Sequence, residues 1–303
     1  MGDEIGYSSA GELKASEIAA FLKAELHGWD IPIKAVKSID DITANALVFS
    51  KGKVSGDLLK EIGPACFITA ELPEEIGPHA VILVPNPRLA FAKTLSEFFA
   101  PPKKPGIGLN TVVDPTARIA ASATIGNGCT VGRDVEIGDQ TEIRHNVVIA
   151  DGVKIGKYCL IRSSAVIGEE GFGFENEADG RPIRIPHLGS VEIGDYVEVG
   201  NFTAIARGTL KSTIIQSHVK IDNLVHIAHN CVIGRNSMVI ACAEVSGSSE
   251  IGSNCWLGVG CTTMQKIRIG DNCLIGIGSV VLKDVPSGAV LAGNPAKILR
   301  RRA

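Results

Sequence analysis

Residues 125–168 read IGNGCT-VGRDVE-IGDQTE-IRHNVV-IADGVK-IGKYCL-IRSSAV-IG, with an aliphatic side chain at every sixth position. Outward from this stretch the beat continues. It starts at Val113, reaches Ile167 without a slip, resumes through Ile193, Val199 and Ile205, and runs again from Ile215 to Val281 with Thr263 as its one polar member. A period of six is neither helical nor a simple strand alternation. It is the period of a parallel β-helix in its left-handed form, where three hexads make one triangular coil. Residues eighteen apart then lie almost directly above one another, at an inter-strand spacing of about 4.8 Å. Glycine often follows the beat, as at Gly126, Gly138 and Gly234, where a corner is expected to need backbone freedom.

The beat fixes the organisation. A mainly β chain is expected, with a small α/β domain over residues 1–100, a linker over 101–112 (Pro101-Pro102-Lys-Lys-Pro105-Gly106 at its start), the β-helix over 113–285 and a cap over 286–303. In the first domain, patterning predicts helices over Lys14–Glu25 with Ser16 as N-cap, over Asp57–Ile62, and over Arg88–Phe99 with Leu89, Phe91, Ala92, Leu95, Phe98 and Phe99 as its buried stripe. Strands are expected over Ile31–Val36, Ala46–Phe49, Cys66–Thr69 and Val81–Val84. The beat fails twice, with a step of 26 positions from Ile167 to Ile193 and of ten from Ile205 to Ile215, and both gaps predict loops that leave the solenoid wall.

Composition excludes several classes of function. The 303 residues are 45% hydrophobic and 21% charged, with a net charge of -3, which gives no field suited to nucleic acid or an anionic membrane. No apolar run approaches a membrane span, and Met1 to Ala10 lack a signal-peptide pattern, so a cytoplasmic location is expected. Six of the eight cysteines (Cys129, Cys159, Cys231, Cys255, Cys261 and Cys273) sit four residues after a beat residue. That slot is small and inward, where a free thiol acts as a buried hydrophobe. No zinc-type spacing exists, so no metal site is expected, nor are disulfides.

The coil count also assembles a candidate site. His229, Gly247 and Gln265, with Lys266 beside it, fall eighteen residues apart in one column at a coil edge. The column holds what acyl transfer needs: a histidine to take a proton, a backbone N–H unobstructed by a side chain to hold an oxyanion, and a lysine to neutralise charge. The competing reading is an exposed edge histidine without chemistry. His27, His79 and His218 are expected on surfaces. A non-catalytic scaffold or a metal-dependent hydratase would suit the same solenoid. A hydratase would want three converging histidines, and only His226 lies close to His229 in the chain.

Several motifs are specific. Gly171-Phe-Gly-Phe174, Ile185-Pro-His-Leu-Gly189, Val191-Glu-Ile-Gly-Asp195, Arg207-Gly208, Val219-Lys-Ile-Asp-Asn-Leu-Val225 and Ile227-Ala-His-Asn230 resemble the UDP-3-O-acylglucosamine N-acyltransferases of the lipid A pathway, as do Ser38-Ile-Asp-Asp41 and Asn86-Pro-Arg-Leu-Ala-Phe-Ala-Lys93. The resemblance implies that His229 is the general base and Gly247 the oxyanion donor. It implies substrate-binding roles for Asp222, Asn223 and Asn230, and for Phe172 and Phe174, whose bland alternative is to anchor their loop. Phe49 matches half of an aromatic pair in the family's uracil-binding segment, and its tyrosine partner is missing, with Lys51 and Lys53 nearby. A homotrimer with sites between neighbouring β-helices is implied as well. Lys266 stands where the family has a second histidine, Ala206-Arg-Gly208 replaces Asp-Arg-Gly, and Ala303 closes the chain before the family's carrier-protein helices.

The C-terminal run Ile275 to Lys297, with Gly293-Asn-Pro-Ala296, resembles CoA-dependent sugar acetyltransferases instead. That resemblance implies Gln265, Lys283, Lys297 and Arg300 as donor-binding residues. The combined expectation is an N-acyltransferase that moves an acyl group from a pantetheine thioester, on acyl carrier protein or CoA, to the amine of a nucleotide-linked amino sugar, with no bound cofactor. The alternative is an acetyl-CoA-dependent sugar N-acetyltransferase for O-antigen or a related glycan.

Overall fold

The computed structural model describes residues 13–101 and 104–301, and the chain divides into two compact units between residues 102 and 103. The first unit is a five-stranded sheet, with strands β1 (Glu25–Gly28), β2 (Ala35–Val36), β3 (Ala46–Phe49), β4 (Cys66–Thr69) and β5 (Ala80–Leu83) in the order β1-β5-β4-β3-β2. All pairings are parallel except β1 with β5. Helices α1 (Ala15–Leu22), α2 (Gly56–Glu61) and α3 (Pro87–Thr94) accompany it. Two apolar clusters flank the sheet. Leu47, Ile68 and Ile82 belong to one, and Val48, Leu59 and Phe67 to the other, so the strands are buried on both faces as parallel strands require.

Several local expectations shift here. Helix α1 starts behind Lys14, not Ser16, and the Ser16 amide and hydroxyl bond the Asp30 carboxylate at 2.9 Å. It stops where Lys23 turns left-handed (φ 53°), which frees Glu25 to open β1, a strand the patterning missed. Of the expected Ile31–Val36 strand, Ala35–Val36 pairs with β3, and Pro32 makes an isolated bridge to Lys14. The last helix runs over Pro87–Thr94, followed by a wider π turn over Leu95–Phe99. Its inward line is Pro87, Ala90 and Thr94, while Leu89 and Ala92 are exposed. The expected stripe misses this because Thr94 is a polar core residue, its hydroxyl spent on Ala90 O at 3.0 Å. His79 is fully buried rather than on the surface. Its Nδ1 accepts from Ala65 N at 3.2 Å and its Nε2 bonds Leu59 O at 2.9 Å.

The second unit is the left-handed parallel β-helix. Three parallel faces of nine, eight and eleven strands run its length, and the eleven-stranded face ends in one antiparallel return strand. Pairing is in register at eighteen residues, as with Thr130↔Val148 and Glu136↔Lys154. The beat residues and the slot four further on fill the core, where Ile125, Ile143, Ile161, Cys159 and Cys261 are almost wholly buried. Each such aliphatic contributes about 1.5–3 kcal/mol. The one polar beat residue is used: buried Thr263 Oγ1 accepts from Ser246 N at 3.0 Å.

The solenoid begins before the expected boundary. Gly106–Ile107 already pairs with Thr124–Ile125, which shortens the anticipated 101–112 linker. At the other end Ala289–Ala292 extends the eleven-stranded face, and Lys297–Arg301 folds back on it antiparallel. The glycines after the beat also have another purpose than the one expected. The left-handed corner residues are three positions past the beat (Gln140, Asn146, Asn230), whereas Gly138 and Gly234 do not have positive φ. A Cβ on Gly138 would lie 2.7 Å from the backbone of Gly156, and one on Gly234 2.6 Å from Ser253 N, so glycine lets successive coils approach.

The two excursions leave this frame cleanly. Ile155 pairs with Ile193 instead of a residue eighteen on, which makes the first insertion twenty residues long. It contains a short hairpin of Phe174–Asn176 against Pro182–Arg184. Ile193 pairs with Ile215, leaving four extra residues before Thr213. Arg207 clamps the root of the long excursion: its guanidinium donates to Gly168 O and Asp151 O, and its amide to Glu169 O.

Candidate active site

The corner between the nine- and eight-stranded faces carries the column foreseen from spacing. His229 follows the strand His226–Ile227 as the chain turns toward Val232–Ile233. One coil away, Gly247 is so close that a Cβ on it would lie 2.8 Å from Cε1 and Nε2 of the imidazole. Only glycine leaves that ring in place. The amides around Gly247 are held by Ser246 N on Thr263 Oγ1, Ser248 N on His229 O (2.8 Å) and Lys266 N on Gly247 O (2.9 Å). Among the described residues the Gly247 N–H itself has no hydrogen-bond partner. A free amide beside a histidine is the pairing that stabilises charge on a carbonyl oxygen next to a base.

His229, Gly247 and Gln265 line one cleft of about 440 Å³ together with Phe172, His226 and Glu244. Burial, and behind it the neighbouring His187 and His226, lowers the His229 pKa from the ordinary 6.5, so the ring is neutral in its resting state. Its Nδ1 lies 3.0 Å from Asn230 Nδ2. Asn230, in the left-handed corner conformation (φ 60°), also bonds Thr209 through both amide atoms and takes Thr213 Oγ1 on its backbone N–H. Asn230 therefore orients the histidine and ties down the short excursion.

Other anticipated residues are elsewhere. Lys266 is the left-handed corner residue (φ 61°), with its side chain exposed and absent from the cleft lining, and it acts on Gly247 through its backbone. Lys283 is exposed above Gln265, next to the cleft-lining Leu282. Lys297 and Arg300 project from the exposed return strand. Asp222 and Asn223 turn the opposite corner, between the eleven- and nine-stranded faces, where Asn223 Oδ1 accepts from Asn201 N at 2.8 Å. Phe172 is 87% exposed at the cleft, while Phe174, two positions on, is outside its lining, with its ring 4.8 Å from that of Phe172 and under the Arg184 guanidinium. Phe49 belongs to the first unit, its ring 4.8 Å from that of Phe91 and tilted to it by 34°.

Three neighbours were not expected at the cleft, although His226 is close to His229 in the chain and His187 falls in the Ile185-Pro-His-Leu-Gly189 motif. His226 and Glu244, paired across adjacent coils, face the cleft. They are eighteen apart, so the count that gave Gly247 would have found them. His187 is buried in the long excursion with its ring 5.2 Å from that of His229, and Gly171 and Gly173 pass closely over it. Nothing periodic announces a loop residue. The core thiols are not alternatives as nucleophiles, since burial pushes Cys231 up to about 11 and Cys261 up to about 12. Among the described residues no group of three or more His, Cys, Asp or Glu is placed to hold a metal, and no helix is long and apolar enough to cross a membrane.

Residues 134–169 match the six-repeat bacterial transferase hexapeptide family. The chain is 36% identical to a UDP-3-O-acylglucosamine N-acyltransferase from Campylobacter lari over 93% of both chains. It is 35% identical to one from Delftia acidovorans, over 91% of this chain and 84% of that one. Among solved structures, the UDP-N-acetylglucosamine O-acyltransferase of Moraxella catarrhalis superposes with a TM-score of 0.58 at 32% identity, over 63% of this chain and 73% of that one. Fold, repeat and full-length similarity agree, and the chain belongs to the UDP-3-O-acylglucosamine N-acyltransferase family.

Proposed function

We propose that this protein transfers a 3-hydroxyacyl group from acyl carrier protein to the amine of UDP-3-O-acylglucosamine, a step of lipid A synthesis. The observation that carries the reading is the His229 ring set against Gly247, whose N–H is free, in a single cleft. The amine nitrogen bonds to the thioester carbon as its proton passes to His229. The oxyanion rests on Gly247 N–H. Collapse breaks the C–S bond, and the proton returns to the departing sulfur. Gln265 and Lys283, higher in the column, lie along the path of the pantetheine arm, and Phe172 closes the cleft mouth. Lys297 and Arg300 are placed toward the phosphates or acidic surface of the donor. In the first unit, Phe49 is assigned to the uracil.

The active assembly in this reading is a cytoplasmic homotrimer, because the cleft is open on one side and Asp222 and Asn223 are at the other corner of the same face. A second reading, an acetyl-CoA-dependent sugar N-acetyltransferase, is favoured by the C-terminal run alone. The test is a turnover panel: 3-hydroxyacyl carrier protein and acetyl-CoA, each against UDP-, GDP- and dTDP-linked amino sugars. Amide formation with the carrier-protein donor and UDP-3-O-acylglucosamine is expected, with a fall of about 10²–10⁴-fold in His229→Ala. Turnover of acetyl-CoA alone would replace the reading, and a His229→Ala loss within about tenfold would remove the base.

A further inference from the structure

The hydrogen bonds around Asn230 decide which nitrogen of His229 faces the cleft. Thr209 N donates to Asn230 Oδ1 at 2.8 Å, and a backbone N–H is only a donor. That contact fixes the amide orientation and leaves Nδ2 toward the imidazole. Nδ2 carries hydrogens and no lone pair, so His229 Nδ1, 3.0 Å away, is the acceptor. A neutral ring with an accepting Nδ1 carries its proton on Nε2. Nε2, together with Cε1, lies against Gly247, and His229 lines the cleft.

We propose that Asn230 is a positioning residue that holds resting His229 in the Nε2–H tautomer. The proposal rests on the reading of His229 as the base and sharpens it. A base acting at Nε2 needs that nitrogen bare and the ring proton on Nδ1, where it would face the Asn230 NH₂ donor to donor. The base form therefore requires the Asn230 amide to turn, so that Oδ1 accepts from Nδ1–H, and Thr209 N–H then loses its acceptor. Thr209 O in turn accepts from Leu188 N at 2.8 Å, next to the His187 that packs on the His229 ring. Both excursions thus meet at this one amide, and a substrate that moves either one reaches the tautomer of the base.

Replacing Asn230 by aspartate reverses the preference. In Asn230→Asp one carboxylate oxygen keeps Thr209 N–H and the other accepts from Nδ1–H, which leaves Nε2 bare at rest. The added charge also opposes the lowering by His187 and His226, while Glu170, which binds the His187 amide, and Glu244 in the cleft stay as they are. The experiment is ¹⁵N NMR of imidazole-labelled protein at about pH 8, above an ordinary histidine pKa. The His229 signals are assigned by their disappearance in His229→Gln. Wild-type protein is expected to show a protonated Nε2 and a bare Nδ1, with the two exchanged in Asn230→Asp. The acid limb of kcat/KM should also move up by about one pH unit or more in that variant. A wild-type Nδ1–H, or an unchanged tautomer in Asn230→Asp, overturns the proposal. His229→Gln is assayed separately: full turnover there would sink the base while the NMR result on the tautomer stood.

Discussion

At the scale of single residues, the tightest constraint is the space between His229 and Gly247. A methyl group at 247 would lie 2.8 Å from two ring atoms, and the ring must yield because the coil backbone behind Gly247 is bonded on both sides. Gly247→Ala retains its N–H but displaces the base. We expect kcat to fall about 10²-fold, the cost of a misplacement of roughly 1 Å, with Tm little changed because neither side chain belongs to the core. The pH profile follows from the same surroundings. Burial, then His187 and His226, lowers the His229 pKa from 6.5. Protonation of the ring abolishes the base in either tautomer, so the acid limb of kcat/KM is expected below 6.5 in wild type, and a limb at or above that value would contradict the placement. His229, Gly247 and Gln265 were legible because vertical stacking follows from the coil count alone. Lys266 was misjudged for a related reason. One position along, the corner turns left-handed and directs the side chain to solvent, and hexad counting does not show that change.

At the scale of elements, the long excursion is a built structure with a clamp. Arg207 spends its guanidinium on two backbone carbonyls, and hydrogen bonds to a charged group contribute about 1.5–3 kcal/mol each. Arg207→Ala is expected to lower Tm and to open residues 168–190 to limited proteolysis, with KM raised more than kcat falls. Phe172→Ala separates the other variable. Its ring is 87% exposed at the cleft and supports little of the fold, so KM should rise severalfold at unchanged Tm and protease resistance. If neither variant alters KM, the loop is not a wall of the site. The sequence betrayed this loop by silence, since the beat stops at Ile167. Silence locates an insertion and says nothing of its inside. The burial of His187 arises from non-periodic contacts through Gly171 and Gly173. The first unit shows the same limit. Its strands Ala46–Phe49 and Cys66–Thr69 follow from composition, but the core line of α3 turns on a threonine whose hydroxyl is satisfied locally.

At the scale of the whole molecule, six-residue periodicity made the solenoid readable because every coil repeats one packing problem. The ends were less clear: Ile107 is in phase with the beat, six residues before Val113, but the prolines just before it read as linker. The assembly rests on what the corners present. His229 stands at one corner of the nine-stranded face. At the other, next to Asp222 and Asn223, Phe202 and Leu224 occupy left-handed positions on successive coils, 65% and 58% exposed. In the trimer proposed above, the second corner of one chain is set against the first corner of its neighbour, where those side chains would be buried and the cleft would gain a further wall. A solution mass of three chains is therefore expected by light scattering. Phe202→Arg with Leu224→Glu should yield a folded monomer, its far-ultraviolet dichroism unchanged, in which turnover falls at least about 10²-fold although His229 and Gly247 are untouched. Restoration by mixing is the decisive arm. The charged-corner variant retains a good His229 corner, and a His229→Ala chain retains a good apolar corner, so mixed rings contain one competent junction. If the site lies between chains, the mixture regains activity that neither variant has. If the monomer turns over normally, or mixing restores nothing, each chain holds its whole site and the trimer has no part in the chemistry.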